Sequence, residues 1–346
     1  MEFIEQAPMG GLNTLALDAR ARYLCTAATL DDLLAARDFA RARGLSLTVL
    51  GGGSNVILAG DIPGLVVRVA LPGIEALDRA GSTVRVRVGA GEDWHALVGH
   101  CLARGWFGLE NLALIPGRAG AAPIQNIGAY GVELASRFDS LDALDLDSGE
   151  LIRLDREACR FGYRDSIFKH ELRGRVIITA ITLSLSTIPA PCLDYPELRD
   201  SLAADPAPSP RAVYDAVCAL RRRKLPDPAE RPNAGSFFKN PVVGAAEGAA
   251  LRARFPDMPG YPQPDGGLKI PAAWLIDRAG WKGRRRGAVG VHDRQALVLV
   301  HFGGGSGAEL LALAADIAAD VEGRFGVALE LEPTVLGGED HAPPRR

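Results

Sequence analysis

A run of three glycines between two short apolar segments constrains the fold more than any other part of this chain of 346 residues. Residues 45–50 read as a buried strand, residues 51–55 (Gly-Gly-Gly-Ser-Asn) follow it, and residues 56–58 again favour a strand. A Rossmann fingerprint would open a helix, and a Walker loop would contain a lysine, so neither motif fits. Backbone N–H groups in such a loop can bind an anion, but a tight hairpin turn explains the same residues equally well.

A second glycine-rich segment, residues 105–131, contains only two charged residues, Glu110 and Arg118. It also carries an adjacent amide pair, Gln125-Asn126. Such a segment suits a backbone that packs against a flat ligand, because glycine permits close approach and amides can bond ring heteroatoms.

Hydrophobic periodicity and capping signals predict an alternation of helices and strands. Ser209-Pro210 and the Ser306–Glu309 capping box mark two helix starts. The chain is therefore expected to contain helices over residues 31–43, 209–224 and from 306 onward, and strands over residues 45–50, 84–88, 141–147, 177–185 and 327–336. Proline-rich residues 205–210 and 226–232 are plausible domain boundaries.

Bulk composition excludes several classes of protein. The net charge of −3 does not indicate nucleic-acid binding, and no apolar run is long enough for a transmembrane helix. The first residues lack the features of a secretory signal. Five widely spaced cysteines form no CxxC pair, and the histidines have no ligand spacing, so neither disulfides nor a metal site are expected. A reducing cytoplasm is the expected compartment.

Five blocks of sequence, in order along the chain, closely resemble the UDP-N-acetylenolpyruvoylglucosamine reductase (MurB) family. Two are the glycine-rich segments, and a third is Cys-Arg-Phe-Gly-Tyr-Arg-Asp-Ser-Ile-Phe-Lys at 159–169. The others are Asn-Ala-Gly-Ser-Phe-Phe-Lys-Asn-Pro at 233–241 and Leu-Glu-Pro at 331–333. Leu193-Asp194-Tyr195-Pro196 resembles the tyrosine-bearing loop of the longer form of the family.

This resemblance implies an α+β fold: a two-part FAD-binding domain of the vanillyl-alcohol-oxidase (PCMH) type and an α+β substrate-binding domain. The implied division is 1–70 and 71–225 for the FAD-binding parts, 226–328 for the substrate domain, 329–337 for a return strand and 338–346 for a disordered tail. The FAD would be bound by Gly51, Gly52, Gly53, Ser54, Asn55, Gly117, Gln125, Asn126 and Gly128.

The implied activity is the FAD-dependent, NADPH-oxidising reduction of UDP-N-acetylglucosamine enolpyruvate to UDP-N-acetylmuramate, in peptidoglycan precursor synthesis. Reduced flavin gives a hydride to the enolpyruvyl carbon remote from the carboxylate. Arg164 would grip the carboxylate as charge develops, Ser236 would supply the proton, and Glu332 would assist. In place of the Glu-Val-Arg with which the family block continues, this chain has Thr334-Val335-Leu336.

Further residues are implied as contacts to the UDP-sugar substrate: Tyr130, Tyr195, Arg221, Lys224, Asn240, Tyr261 and Lys269. The roles of Lys169, Lys239 and Lys282 stay open. No nucleic acid, membrane or metal partner is implied, and a monomer is expected. A flavin-dependent oxidase of a small alcohol is the alternative enzyme, although neither flavin loop has a histidine for covalent attachment. A flavin- or nucleotide-binding regulatory module is the non-enzymatic alternative.

Overall fold

The computed structural model describes residues 1–338, which fold into helices and mostly short strands. The strands are β1 (Ile4–Pro8), β2 (Arg20–Ala27), β3 (Leu47–Leu50), β4 (Val56–Leu58), β5 (Ile62–Val69), β6 (Ile74–Ala80), β7 (Thr83–Gly89), β8 (Gly128–Ala129), β9 (Val132–Glu133), β10 (Phe138–Asp145), β11 (Leu151–Asp155), β12 (Val176–Ser186), β13 (Asn233–Ser236), β14 (Val242–Val243), β15 (Tyr261–Pro262), β16 (Leu268–Lys269), β17 (Arg285–Arg286), β18 (Val289–Val291), β19 (Val298–His301) and β20 (Thr334–Leu336).

The α-helices are α1 (Leu30–Ala42), α2 (Trp94–Ala103), α3 (Pro196–Ser201), α4 (Pro210–Lys224), α5 (Ala245–Arg254), α6 (Ala272–Arg278) and α7 (Gly307–Phe325). Short 3₁₀ helices lie at Gly10–Leu12, Glu110–Leu112, Ala119–Gln125, Leu134–Ser136 and Ile167–Lys169.

The chain forms two compact units. The first comprises Met1–Ala7, Ala21–Gly53 and Ile62–Arg223, and the second comprises Pro8–Arg20, Ser54–Asp61 and the chain from Lys224 onward. The sequence did not indicate that two early segments belong with the C-terminal unit. The division of the first 225 residues into 1–70 and 71–225 stays a prediction.

The first unit contains two larger sheets and a small hairpin. One sheet has the order β1-β2-β5-β3, and the other has the order β11-β10-β12-β7-β6. Residues 84–88 alternate strictly between valine and arginine, which is typical of a half-buried strand. The valines of β7 are buried while the arginines between them are partly exposed, so the predicted strand is confirmed. Strand β3 lies at a sheet edge and leaves Val49 38% exposed, so the prediction of a buried strand there is wrong.

The second unit contains short strands in the orders β13-β19-β18-β17 and β14-β16-β15, with β20 parallel to β4. The Ser306–Glu309 capping box begins α7, as predicted, and Gly326 ends it with a φ of 75°. Only residues 334–336 of the predicted strand 327–336 are extended in a sheet. Pro333 has no N–H to donate to a ladder, and this favours a break in the strand before β20. Apart from residue 338, the predicted disordered tail lies outside the described residues.

Candidate functional site

The glycines of the first glycine-rich loop contact the second loop within the first unit. A Cβ atom added to Gly52 would lie 2.9 Å from the Cα of Gly117, and one added to Gly51 would lie 3.4 Å from the Cβ of Ala121. Only glycine at residue 52 permits this approach of the two backbones. The strand that follows residues 51–55, β4, confirms that the loop does not open a helix.

Backbone hydrogen bonds hold the second loop against the connection between β7 and α2. The carbonyl of Gly117 accepts from the N–H of Trp94 at 3.0 Å, and the N–H of Gly120 donates to the carbonyl of Ala90 at 2.9 Å. Arg118 adds a side-chain bond to the carbonyl of Gly91. The loop that would bind the flavin is therefore fixed by the sheet and helix beneath it.

Asn126 is the interior anchor of this segment. It is 1% exposed and has a left-handed φ of 44°. Its amide nitrogen donates to Glu133 Oε2 and to the carbonyl of Gly162, both at 3.0 Å, and its oxygen accepts from the N–H of Ala135. The side chain thus organises the loop, and a direct contact of Asn126 with a cofactor stays a prediction.

Tyr130 occupies the tip of a two-residue hairpin between β8 and β9. Both central residues have positive φ, 49° for Tyr130 and 87° for Gly131, which is the pattern of a type I′ turn. A left-handed conformation costs a non-glycine residue about 1–2 kcal/mol. Burial raises the pKa of the Tyr130 phenol to about 12, so the hydroxyl is protonated at neutral pH.

Arg164 lies in a second tight turn, in which Gly162 and Asp165 pair and exchange N–H···O bonds of 3.0 and 3.3 Å. Its φ is 53°, and its guanidinium donates to the carbonyl of Gly128 at 2.7 Å. The half-buried Arg164 side chain therefore lies beside the base of the hairpin that carries Tyr130. Lys169 donates to the carbonyl of Arg164 at 3.3 Å and supports the same turn.

Tyr195 packs against Tyr130, with ring centroids 5.1 Å apart in an edge-to-face arrangement. The buried side-chain amide of Asn111 donates to the carbonyls of Tyr130 at 2.8 Å and Cys192 at 2.9 Å. One side chain that sequence analysis did not single out therefore ties the tyrosine-bearing loop to the hairpin.

Arg221 stands on α4, and its Nε donates to the carbonyl of Leu114 at 3.2 Å. Burial lowers the pKa of the guanidinium, while the nearby Tyr130 opposes that shift. Because the ordinary pKa of arginine lies far above neutrality, Arg221 stays charged. Lys224 is the final residue of α4 and belongs to the second unit.

In the second unit, Ser236 ends β13 after an irregularity in the pairing of β13 with β19. The glycine in Asn233-Ala234-Gly235 favours a tight turn before Ser236, but that prediction is wrong. These residues form a strand with a bulge, because Gly235 adopts a φ of 72°. The buried Asn233 side chain accepts from the N–H of Gly235 at 2.9 Å and donates to the carbonyls of Pro226 and Arg231. Ser236 itself is half-buried.

Glu332 lies between a bridge at Leu331 and the start of β20, and not within a strand as predicted. Its N–H donates to the carbonyl of Phe237 at 3.0 Å, which places it beside the segment that follows Ser236. The side-chain amide of Asn55 donates to the Glu332 carbonyl at 3.3 Å. Asn55, at the end of the first glycine-rich run, and Glu332 are thus neighbours in the second unit.

Three of the remaining predicted contacts lie on or beside the small sheet of β14, β15 and β16. Lys269 pairs with Tyr261 on one side and with Val242 on the other, and Tyr261 is 47% exposed. The oxygen of the Asn240 side chain accepts from the N–H of Ala272, the first residue of α6. The sheet brings Tyr261 and Lys269 together at its surface.

Two lysines whose roles were left open form ion pairs in the second unit. Lys239 contacts Glu330 and Lys282 contacts Asp277, each with a nitrogen–oxygen distance of 2.5 Å. Residues 1–338 contain no group of histidines, cysteines and carboxylates arranged to hold a metal ion. Over the same residues no helix is long and apolar enough to cross a membrane.

Comparisons with known proteins cover nearly the whole chain. A family model described as "UDP-N-acetylenolpyruvoylglucosamine reductase, C-terminal domain" matches residues 227–336, and one described as "FAD binding domain" matches residues 21–155. The UDP-N-acetylenolpyruvoylglucosamine reductase of Paraburkholderia phymatum is 54% identical, over 97% of this chain and 98% of that protein. The reductase of Bordetella pertussis is also 54% identical, over 94% and 92%.

Among solved structures, UDP-N-acetylenolpyruvylglucosamine reductase (MurB) from Thermus caldophilus aligns with a TM-score of 0.66 at 25% identity, covering 97% of this chain and 98% of that one. A solvent-stable cholesterol oxidase aligns with a TM-score of 0.50 at 14% identity, over 96% and 86% of the two chains, which concerns the fold alone. The predicted α+β fold with a PCMH-type FAD-binding domain is confirmed.

Proposed function

The chain belongs to the UDP-N-acetylenolpyruvoylglucosamine reductase family, and we propose the residues with which it carries out the family's reaction. It is an FAD-dependent oxidoreductase of peptidoglycan precursor synthesis that reduces the enolpyruvyl group of UDP-N-acetylglucosamine enolpyruvate. NADPH is the proposed reductant. The contact of the Gly52 backbone with that of Gly117 is the observation that carries the assignment of the cofactor loops.

The glycine loops fit FAD because they offer backbone N–H groups where no side chain intervenes. Gly51, Gly52, Gly53 and Gly117 would hold the diphosphate and the flavin edge without a lysine, together with Ser54, Asn55, Gln125, Asn126 and Gly128. When bound, FAD accepts a hydride from the nicotinamide and delivers one to the enolpyruvyl carbon. The protein supplies orientation and electrostatic stabilisation.

Arg164 is the proposed electrostatic catalyst. Hydride addition leaves carbanion character next to the carboxylate of the substrate, and a guanidinium can hold that carboxylate through two parallel hydrogen bonds. Its turn is braced by Lys169, and its guanidinium is bonded to Gly128, so the cation is preorganised before charge develops.

Ser236 is the proposed proton donor. A serine hydroxyl is a weak acid, but the developing carbanion is a strong base, so a positioned hydroxyl suffices. The bulge at Gly235, fixed by Asn233, holds Ser236 in place. Glu332, whose N–H bonds the carbonyl of Phe237, is the proposed partner in stabilising charge or relaying the proton.

Seven residues, taken unit by unit, are the proposed contacts to the UDP-sugar. Tyr130, Tyr195 and Arg221 are the proposed contacts from the first unit, where an edge-to-face pair of rings lies near a charged guanidinium. Rings at such a site can cover a nucleotide sugar and exclude water. The second unit would add cationic and polar side chains for the diphosphate, namely Lys224, Asn240, Tyr261 and Lys269.

A cytoplasmic monomer is the proposed state of the protein. The free cysteines Cys25, Cys101, Cys159, Cys192 and Cys218 fit a reducing compartment. Light scattering after gel filtration should give a mass close to the chain mass of 36.6 kDa. A mass near twice that value would contradict the monomer.

Anaerobic visible spectroscopy tests the function directly. The purified protein should be yellow, NADPH should bleach it, and the UDP-enolpyruvyl sugar should restore the colour with oxygen absent. Reoxidation by oxygen alone, at a rate that the sugar does not change, would favour the flavin oxidase. A colourless protein that takes up no added FAD would contradict both enzymes.

A further inference from the structure

Leu114 adopts a left-handed backbone conformation. It immediately precedes the loop of Ile115, Pro116 and Gly117, and its φ is 58° although it carries a bulky side chain. A left-handed conformation of this kind persists only where surrounding contacts determine it. The contacts of its peptide groups should therefore reveal what holds the start of the loop.

Both polar groups of Leu114 are held by side chains from different helices. Its N–H donates to Nδ1 of His95 on α2 at 3.0 Å, and its carbonyl accepts from Nε of Arg221 on α4 at 3.2 Å. We call these three residues the Leu114 clamp. The clamp joins the segment leading into the flavin loop to an arginine that the proposed function assigns to the substrate.

The hydrogen bond to Leu114 fixes the tautomer of His95. A backbone N–H can only donate, so Nδ1 must carry a lone pair, and the proton of the neutral ring lies on Nε2. Nε2 faces the hydroxyl of Tyr214 on α4 at 3.3 Å, and the two rings are nearly parallel at 8°. Tyr214 thus supports the orientation of the ring that the clamp requires.

The charges around His95 favour the neutral ring. Burial is the largest cause that lowers its pKa, the guanidiniums of Arg222 and Arg221 act in the same direction, and Asp93 at the start of α2 opposes them. Tyr214 of α4 also faces the ring, and residues 113–116 carry no titratable side chain. Neutral imidazole is therefore the resident form at neutral pH.

We propose that His95 is a positioning residue, which in its neutral form holds the Leu114 peptide and so sets both the flavin loop and Arg221. This inference depends on the proposed role of the glycine loops in binding FAD. Protonation would place an N–H against the N–H of Leu114 and break the clamp. Because the neutral form is the competent one and burial lowers its pKa, FAD affinity should be full above the ordinary histidine value of about 6.5 and should fall only as the pH drops through the lowered pKa of His95.

Equilibrium dialysis of the holoenzyme against buffer, with released FAD measured by fluorescence, tests the clamp. We compare wild type, His95→Ala, His95→Asn and the control His100→Asn, which alters another histidine of α2, at pH 7.5 and pH 5.5. His95→Ala should weaken FAD binding about tenfold at pH 7.5, because the Leu114 N–H loses its acceptor. The KM for the UDP-sugar should rise in the same variant, because Arg221 shares the Leu114 peptide.

His95→Asn should restore most of the affinity, since an amide oxygen can take the place of Nδ1, and its affinity should lose the acid dependence because an amide does not titrate in this range. His100→Asn should behave as wild type. FAD binding by His95→Ala that matches wild type at both pH values would overturn the clamp and leave the FAD assignment intact. If His95→Ala does not fold, an acid dependence of His95→Asn equal to that of wild type would overturn it. A wild-type protein that binds no FAD would instead remove the proposed function.

Discussion

The two units position their candidate residues by different means. In the first unit, Leu114, Asn126, Tyr130 and Arg164 all adopt left-handed conformations, and side chains such as Asn111 and Arg221 hold the strained peptides. In the second unit, Ser236 ends a sheet strand, and Gly235 takes up the positive φ. Ala16 is the one non-glycine residue of the second unit with positive φ within the described chain.

This difference matches the roles proposed for the residues of each unit. Strained residues persist only where the surroundings determine them, so they mark places where one geometry is enforced. An arginine that is to bind the substrate carboxylate, and a loop that is to bind the flavin, both need that precision in orientation. A hydroxyl that delivers one proton needs only to be placed within hydrogen-bond reach, which a sheet edge with a bulge can provide.

The largest effect is expected from the second unit. Ser236→Ala should lower steady-state turnover of the UDP-sugar by about 10²–10⁴-fold, the usual range for general acid catalysis. The matched variant Ser306→Ala removes the cap of α7 and should cost about 1 kcal/mol of unfolding free energy with little change in turnover. Equal turnover losses in the two variants would mean that Ser236 acts through stability alone.

Arg164→Lys tests the strained turn of the first unit. A lysine keeps the charge but cannot bind a carboxylate through two parallel bonds, so kcat should fall about a hundredfold. Arg160→Lys is the control, because Arg160 also has a positive φ, 45°, but pairs with the exposed Glu171. Steady-state kinetics should separate the two variants, and similar losses in both would show that the turn, not the guanidinium of Arg164, matters.

Gly52→Ala tests the contact between the glycine loops. The added methyl would lie 2.9 Å from the Cα of Gly117, so the loops must separate, and FAD affinity should fall about tenfold or more. Gly11→Ala, in the second unit, meets no atom within 4 Å and serves as the control. Dialysis of bound FAD measures both, and unchanged affinity in Gly52→Ala would contradict the role of the loop.

The smallest effect should come from an exposed glycine of the second unit. Gly323 lies on α7, a Cβ atom added to it would meet no atom of another element within 4 Å, and its φ is not positive. Gly323→Ala should therefore raise the unfolding free energy by about 0.5–1 kcal/mol. Urea unfolding measures this, with turnover as the second readout, and a loss of stability would show that Gly323 has a structural role in α7.

Local sequence signals predicted the long helices and strands. They did not predict the short strands, which form only through pairing with distant segments. The Ser306–Glu309 box and the alternation of 84–88 identified α7 and β7, because caps and periodicity act over a few residues. The two- to four-residue strands of the second unit carry no such pattern, since their pairing is set by distant segments. The final strand β20, which was predicted over residues 327–336 and covers only 334–336, is another strand whose extent depends on its partner.

In the candidate site, too, some features could be predicted from the sequence and others could not. The identities of Arg164, Ser236 and Glu332 followed from the family resemblance, but their surroundings did not. Nothing in the sequence indicated that Arg164 has a positive φ, or that Asn111 joins Tyr130 to Cys192. Such contacts join residues up to 81 positions apart and emerge only from tertiary packing.

The proposed role of Ser236 is to supply the proton when the UDP-sugar is reduced, and Ser236 takes no part in the reduction of the flavin by NADPH. Anaerobic stopped-flow spectroscopy of Ser236→Ala tests it most directly, because the two half-reactions are followed separately by flavin absorbance. We expect NADPH to bleach the variant at the wild-type rate, and we expect reoxidation by the UDP-sugar to be slower by orders of magnitude. Slow bleaching with normal reoxidation would contradict it.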